Sequence, residues 1–117
     1  MGLKRVVVSG LGALTPIGNN IKSYWAGLKS GVSGADKITY FDTSKFKTQF
    51  ACELKGYDPM NFFDRKEARR LDRFSQYAIV SSDEAIKDSG LNIENIDNTR
   101  VGVIWGSGIG GLKTFQE

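Results

Sequence analysis

The 117 residues are 40% hydrophobic, 25% charged and 11% aromatic, the balance of an ordinary soluble domain, which excludes disordered, collagenous and disulfide-built chains. There is no histidine and one cysteine, Cys52, so Ser-His-Asp triads, Cys-His dyads, His-based zinc sites and an internal disulfide cannot be assembled from these residues alone. The net charge of +3 is uneven: residues 1–73 hold 13 basic and 7 acidic side chains and residues 74–117 hold 3 and 6, so a polyanionic partner would meet the first part.

In chain order, Arg5 to Ser9 (RVVVS) is a short β-branched run that stops at Gly10-Leu11-Gly12, which predicts a buried strand entering a glycine turn. Val6 to Val8 is too short for a signal h-region or a membrane span. Met1-Gly2-Leu3-Lys4-Arg5-Val6 has the glycine of a myristoylation signal but carries Val6 where a serine or threonine belongs. A reducing, cytoplasmic setting without membrane or lipid anchor is expected. Asn19 or Asn20 can cap a helix whose apolar positions Ile21, Tyr24, Trp25 and Leu28 recur at helical spacing, with Gly31 ending it. Residues 31–48 read as an irregular connection, and Phe50 to Leu54 as a short strand holding Cys52 as a buried, inert thiol.

Asp64 to Glu67 has the D-x-x-E form of a capping box and predicts the start of a helical turn. The main helix follows from Leu71, with Phe74, Ala78, Ser81 and Ala85 on one face, Tyr77, Ile79 and Ile86 beside it, and Ser89-Gly90 as its stop. The alanine and serine positions allow close packing. A polar loop over residues 91–99 precedes a second predicted buried strand, Arg100 to Trp105 (RVGVIW), which runs into Gly106-Ser107-Gly108-Ile109-Gly110-Gly111. The order of elements is that of an α/β fold.

Several motifs compete for chemistry. The glycines from Gly106 to Gly111 satisfy G-x-G-x-x-G after a strand, but a dinucleotide site also needs a crossover helix, a further strand and a later acid. The P-loop spacing fails because Leu112 stands where the lysine belongs. Asp83-Glu84 and Asp36 with Asp42 lack calcium-loop spacing, so no metal is expected. Residues 64–73 carry five cations and three anions, a pattern that suits either a polyanion or a solvated helix face, the second being commoner. Flanked by Phe62, Phe63 and Phe74, the same stretch has the ingredients of a single-strand nucleic-acid surface, but the interleaved acids oppose that reading.

The segments KRVVVSGLGALTPIGN, YWAGLKSGVSGA with FDTSKF, FFDRKEARRLDRFSQYAIVSSDEAIKDSGL and RVGVIWGSGIGGL together resemble the N-terminal portion of β-ketoacyl-[acyl-carrier-protein] synthases. Thr15-Pro16 and Gly108-Ile109-Gly110-Gly111 resemble the synthase II branch. The resemblance implies a thiolase fold, five-layered αβαβα, assembled as a homodimer, with residues 1–117 as the opening, incomplete part of its first half. It implies a condensing acyltransferase of fatty acid synthesis that uses malonyl and acyl thioesters on acyl carrier protein and needs no cofactor. The family's nucleophilic cysteine and two histidines are expected beyond Glu117, so no catalytic residue is assigned here and this segment by itself is expected to be inactive. Lys66, Arg69 and Arg70 match the family's carrier-protein docking patch, and Ile109 matches the residue at the far end of its acyl pocket. A catalytically inert partner subunit of the same family and a nucleotide-binding α/β domain are the alternatives. Neither nucleic acid nor membrane is an expected partner.

Overall fold

The computed structural model describes residues 2–116. Met1, which opens the segment weighed as a myristoylation signal, and Glu117 lie outside them. The described chain divides into two units, one of residues 13–58 and one of residues 2–12 with 59–116.

In the unit of residues 13–58, Thr15 and Gly18 close a tight turn through reciprocal backbone bonds of 2.9 and 3.2 Å. The helix α1 (Ile21–Lys29) follows. Of the two asparagines, Asn20 is the cap: its Oδ1 accepts from the Ser23 N–H at 2.8 Å, supplying a partner for one of the first-turn donors. Asn19 instead donates its amide to the Lys55 carbonyl at 2.9 Å. Gly31 ends the helix as expected, with φ +65°, a left-handed conformation that side chains resist. The predicted apolar face is only partly covered, since Trp25 and Leu28 are exposed. Within the stretch expected to be irregular, β1 (Asp36–Lys37) pairs antiparallel with β2 (Phe50–Ala51). The predicted strand from Phe50 to Leu54 is therefore shorter than its sequence suggests. Cys52 lies just past its end and is exposed, not buried.

In the other unit, Asp64 starts α2 (Arg65–Arg70) as the acid-x-x-Glu spacing predicts. The long helix α3 (Arg73–Ser89) begins two residues later than expected, because Leu71 and Asp72 take extended conformations and separate it from α2. Gly90 stops α3 at φ +66°. Val80, Gln76 and Ser81 of α3 are the most buried side chains among the described residues. The small face of α3 meets the glycine turn: a Cβ at Gly12 would strike the Ser81 carbonyl and lie 2.8 Å from the Ala85 nitrogen, and one at Gly10 would lie 2.6 Å from the Ser89 nitrogen. Between the two glycines, the Leu11 N–H donates to Asp88 Oδ2 at 2.9 Å. The predicted polar loop contains two 3-10 turns, Ile93–Asn95 and Asn98–Arg100, and the short helix α4 (Leu112–Gln116) closes the described chain.

The two predicted buried strands do not form. Arg5 to Ser9 and Arg100 to Trp105 enter no ladder, and Val6 and Ile104 are 92% and 98% exposed. A strand exists only by pairing with a neighbour and burying a face, and no described segment pairs with either run. The α/β expectation survives here as helices with one two-residue ladder.

Candidate functional site

A six-residue helix is too short to be stable on its own propensity, so what anchors α2 decides where its charges point. At its start, Asp64 Oδ1 accepts from the backbone N–H groups of Lys66 and Glu67, both at 2.8 Å. Before it, the N–H groups of Phe62 and Phe63 donate to the Pro59 carbonyl at 3.0 and 2.9 Å. At its end, the Gln76 side chain reaches back from α3 and donates to the carbonyls of Ala68 at 2.9 Å and Leu71 at 3.0 Å. Helix C-termini leave such carbonyls without partners inside the helix.

Lys66, Arg69 and Arg70 are exposed on the helix held in this way. Their i, i+3, i+4 spacing makes them neighbours on one face. Lys55 pairs with Asp36 and Lys87 with Asp83, and neither ion pair involves these three cations. Asp64, the nearest acid before them, is engaged as the cap.

Ile109 faces an open cleft of about 380 Å³ whose walls include Arg69, Asp72, Phe74, Gln76 and Thr114. Arg69 and Ile109, assigned from the sequence to different tasks, thus stand on the same cleft. Lys66 and Arg70 do not line it. Ile109 is 77% exposed, so no described residue encloses it as the wall of a closed pocket would. The glycines beyond it touch α3 directly: a Cβ at Gly110 would lie 2.7 Å from the Phe74 ring and one at Gly111 3.1 Å from Asp72 Oδ2. Thr114 Oγ1 donates to Asp72 Oδ1. Asp72 stands at the N-cap of α3 but makes no side-chain capping bond.

This packing opposes the nucleotide-binding alternative. The Asp72 carboxylate stands beside Gly111, 3.1 Å from where a Cβ would sit, and its negative charge disfavours an anion there, whereas a phosphate-binding glycine loop presents free amides to its anion. Gly106 and Gly108 have nothing near them. Among the described residues no group of three or more His, Cys, Asp or Glu could hold a metal ion.

The other unit carries a second polar cluster. Lys55 pairs with Asp36 at 3.1 Å, and Glu53 accepts from the Thr39 hydroxyl at 2.7 Å and from its N–H at 3.0 and 3.1 Å. The Lys55 hydrogen bond holds the Asp36 carboxyl below its ordinary value, and the Thr39 hydroxyl does the same for Glu53. The polar groups engage one another, and the cluster clasps the segment after β1 to the segment after β2.

Sequence reasoning passed over Gln76 and Asp72. The available signal was a long amide side chain set in the apolar and small-residue part of α3, one turn after a helix break. A polar group there has to find partners.

The fold around this site is that of a ketosynthase. A solved structure described as the ishigamide ketosynthase/chain length factor superposes with a TM-score of 0.68 at 34% identity, covering 77% of this chain and 22% of that one. Residues 3–117 match the family model for the beta-ketoacyl synthase N-terminal domain, and the chain belongs to that family. It is 51% identical over 113 residues to 3-oxoacyl-[acyl-carrier-protein] synthase 2 of Staphylococcus aureus strain N315. It is 48% identical over 114 residues to the protein of the same name from Synechocystis sp. strain PCC 6803. Each alignment covers 97% of this chain and 27% of the relative, so the chain spans about a quarter of the length of these relatives.

Proposed function

We propose that this chain is the opening part of the first half of a thiolase-fold condensing enzyme, five-layered when complete, that elongates acyl chains in fatty acid synthesis. The observation that carries this reading is the 51% identity to a 3-oxoacyl-[acyl-carrier-protein] synthase 2 over 97% of the chain. In the proposed reaction an acyl group rests as a thioester on a cysteine outside these residues. Malonyl on the carrier protein loses carbon dioxide, its carbanion attacks the thioester carbonyl, a carbon–carbon bond forms and the cysteine thiolate leaves.

The described residues then serve delivery and fit. Lys66, Arg69 and Arg70 receive an acidic face of acyl carrier protein, supported by their shared helix face and their exposure on it. Ile109 lines the path of the acyl tail once the remaining sheet closes over it, supported by its place on the cleft beside Phe74. The protein acts as a homodimer in the cytoplasm; no described helix is long and apolar enough to cross a membrane.

The test uses the complete protein encoded with this segment, given an acyl-carrier and a malonyl-carrier thioester, with carbon dioxide and the 3-oxoacyl product followed together. Release of both in equal amounts is the expected result. Binding of the carrier protein without any condensation would replace this reading with that of an inert partner subunit.

A further inference from the structure

Gln76 is 4% exposed, and its side-chain amide is spent outside its own helix. Its Nε2 donates at 2.9 and 3.0 Å to the carbonyls of Ala68 and Leu71, which flank Arg69 and Arg70 in the sequence. Its backbone is committed as well, because the Gln76 N–H donates to the Asp72 carbonyl at 3.0 Å in the first turn of α3. One residue therefore clamps the end of a six-residue helix to the start of a seventeen-residue one. A hydrocarbon of the same shape would leave two carbonyls of the corner without a donor, and a carboxylate would place charge against them.

We propose that Gln76 is a positioning residue for carrier-protein docking: by donating its amide to the Ala68 carbonyl in the last turn of α2 and to the Leu71 carbonyl just past its end, it fixes the directions in which Arg69 and Arg70 project. This inference rests on the docking role given above to α2. Gln76, at 4% exposed, itself offers no surface to a carrier protein. The effect of removing it must therefore pass through the charges, and it must fade with salt as charge–charge attraction does.

The experiment uses the complete protein with Gln76→Met, which keeps the length and loses the donors, and Gln76→Asn, which keeps the amide but is one methylene too short to span both carbonyls. KM and kcat are measured with a carrier-linked acyl substrate and with a small acyl thioester, at low and high salt, alongside a variant with Lys66, Arg69 and Arg70 reversed to glutamate. The ratio of the carrier-linked KM to the small-thioester KM should rise about three- to tenfold in either Gln76 variant, with kcat for the carrier-linked substrate following the parent. The rise should shrink toward the parent ratio near 1 M salt. If Gln76→Met does not fold, Gln76→Asn alone decides. A ratio unchanged from the parent, or a rise equal at both salt concentrations, overturns the proposal and leaves Gln76 a purely structural residue. If the charge-reversed variant raises the ratio while the Gln76 variants do not, only this inference falls. If charge reversal itself has no effect, the docking role of α2 falls with it.

Discussion

Reversing Lys66, Arg69 and Arg70 to glutamate gives the sharpest measure of what α2 does. All three side chains are exposed, so each lost pair with an acidic partner forfeits about 0.2–1 kcal/mol, and the three together about 1–3 kcal/mol before repulsion is counted. At about 1.4 kcal/mol per tenfold, that is roughly a five- to 150-fold rise in KM for the carrier-linked substrate. The helix should survive, because the Asp64 cap and the Gln76 clamp use none of the altered side chains. The new charges do act on it unequally: an acid at position 66 suits the N-terminal turn, whereas acids at 69 and 70 oppose the C-terminal end by about 0.3–1 kcal/mol each. A triple glutamine variant separates this cost from the loss of docking. The assay compares KM for carrier-linked and small thioesters at low salt and at 1 M, where the Debye length falls from about 10 Å at 0.1 M to about 3 Å. A carrier-linked KM that stays at the parent value at low salt would refute the docking role and return α2 to an ordinary solvated face.

In the complete protein, Ile109→Phe should deny burial to about four methylenes of a long acyl chain, costing roughly 3 kcal/mol and near a hundredfold in loading, while short chains load as in the parent. Equal loss at both lengths, with overpacking lowering the melting temperature, would make Ile109 a core residue. Gly12→Ala should destabilise by about 1–3 kcal/mol, since its Cβ would strike the Ser81 carbonyl of α3; an unmoved urea midpoint would disprove that contact. Acid should loosen the β1–β2 ladder: the folded carboxyls of Asp36 and Glu53 lie below their ordinary 3.8 and 4.5, so their contribution is present above those values and is lost as pH falls through the lower folded ones. The protection of the Ile38 amide, bonded across the ladder to Gln49 and taken relative to its intrinsic exchange rate at each pH, should fall as pH drops below these values, and equal protection in acid and at neutral pH would refute the role of these acids.

The helices were legible because their signals are local. Asn20, Asp64, Gly31 and Gly90 act through groups a few residues away, and the structure places each cap or stop where its chemistry puts it. The small face of α3 was legible too, as Ser81 and Ala85 do admit a backbone at Gly12. Hidden from the sequence was anything that depends on a partner remote along the chain. Arg5 to Ser9 and Arg100 to Trp105 have strong β propensity, but propensity does not supply the neighbour that a strand needs. Cys52 was expected to be buried for the same reason: its apolar neighbours promised a strand, and the ladder stops at Ala51. Lys66, Arg69, Arg70 and Ile109 were singled out by family resemblance, whereas the cleft that Arg69 shares with Ile109 required Phe74 and Asp72 to be seen against Gly110 and Gly111.

That cleft ties the two proposed tasks to one corner of the molecule. Asp72 is the N-cap residue of α3 and Phe74 lies in its first turn. The same turn carries the Gln76 clamp onto α2 on one side and the seat of Gly110 and Gly111 on the other. A shift of that turn therefore moves at once the cations of α2 proposed to meet a carrier protein and the loop that presents Ile109. Substitutions on the two sides share these intermediates and should not add: coupling between residues of one packed network is about 0.5–3 kcal/mol, against a few tenths for independent sites. Gln76→Met combined with Ile109→Phe is the informative pair. If the long-chain penalty of Ile109→Phe is the same in the Gln76→Met background as in the parent, the corner transmits nothing, and docking and chain fit are separate properties that happen to share a wall.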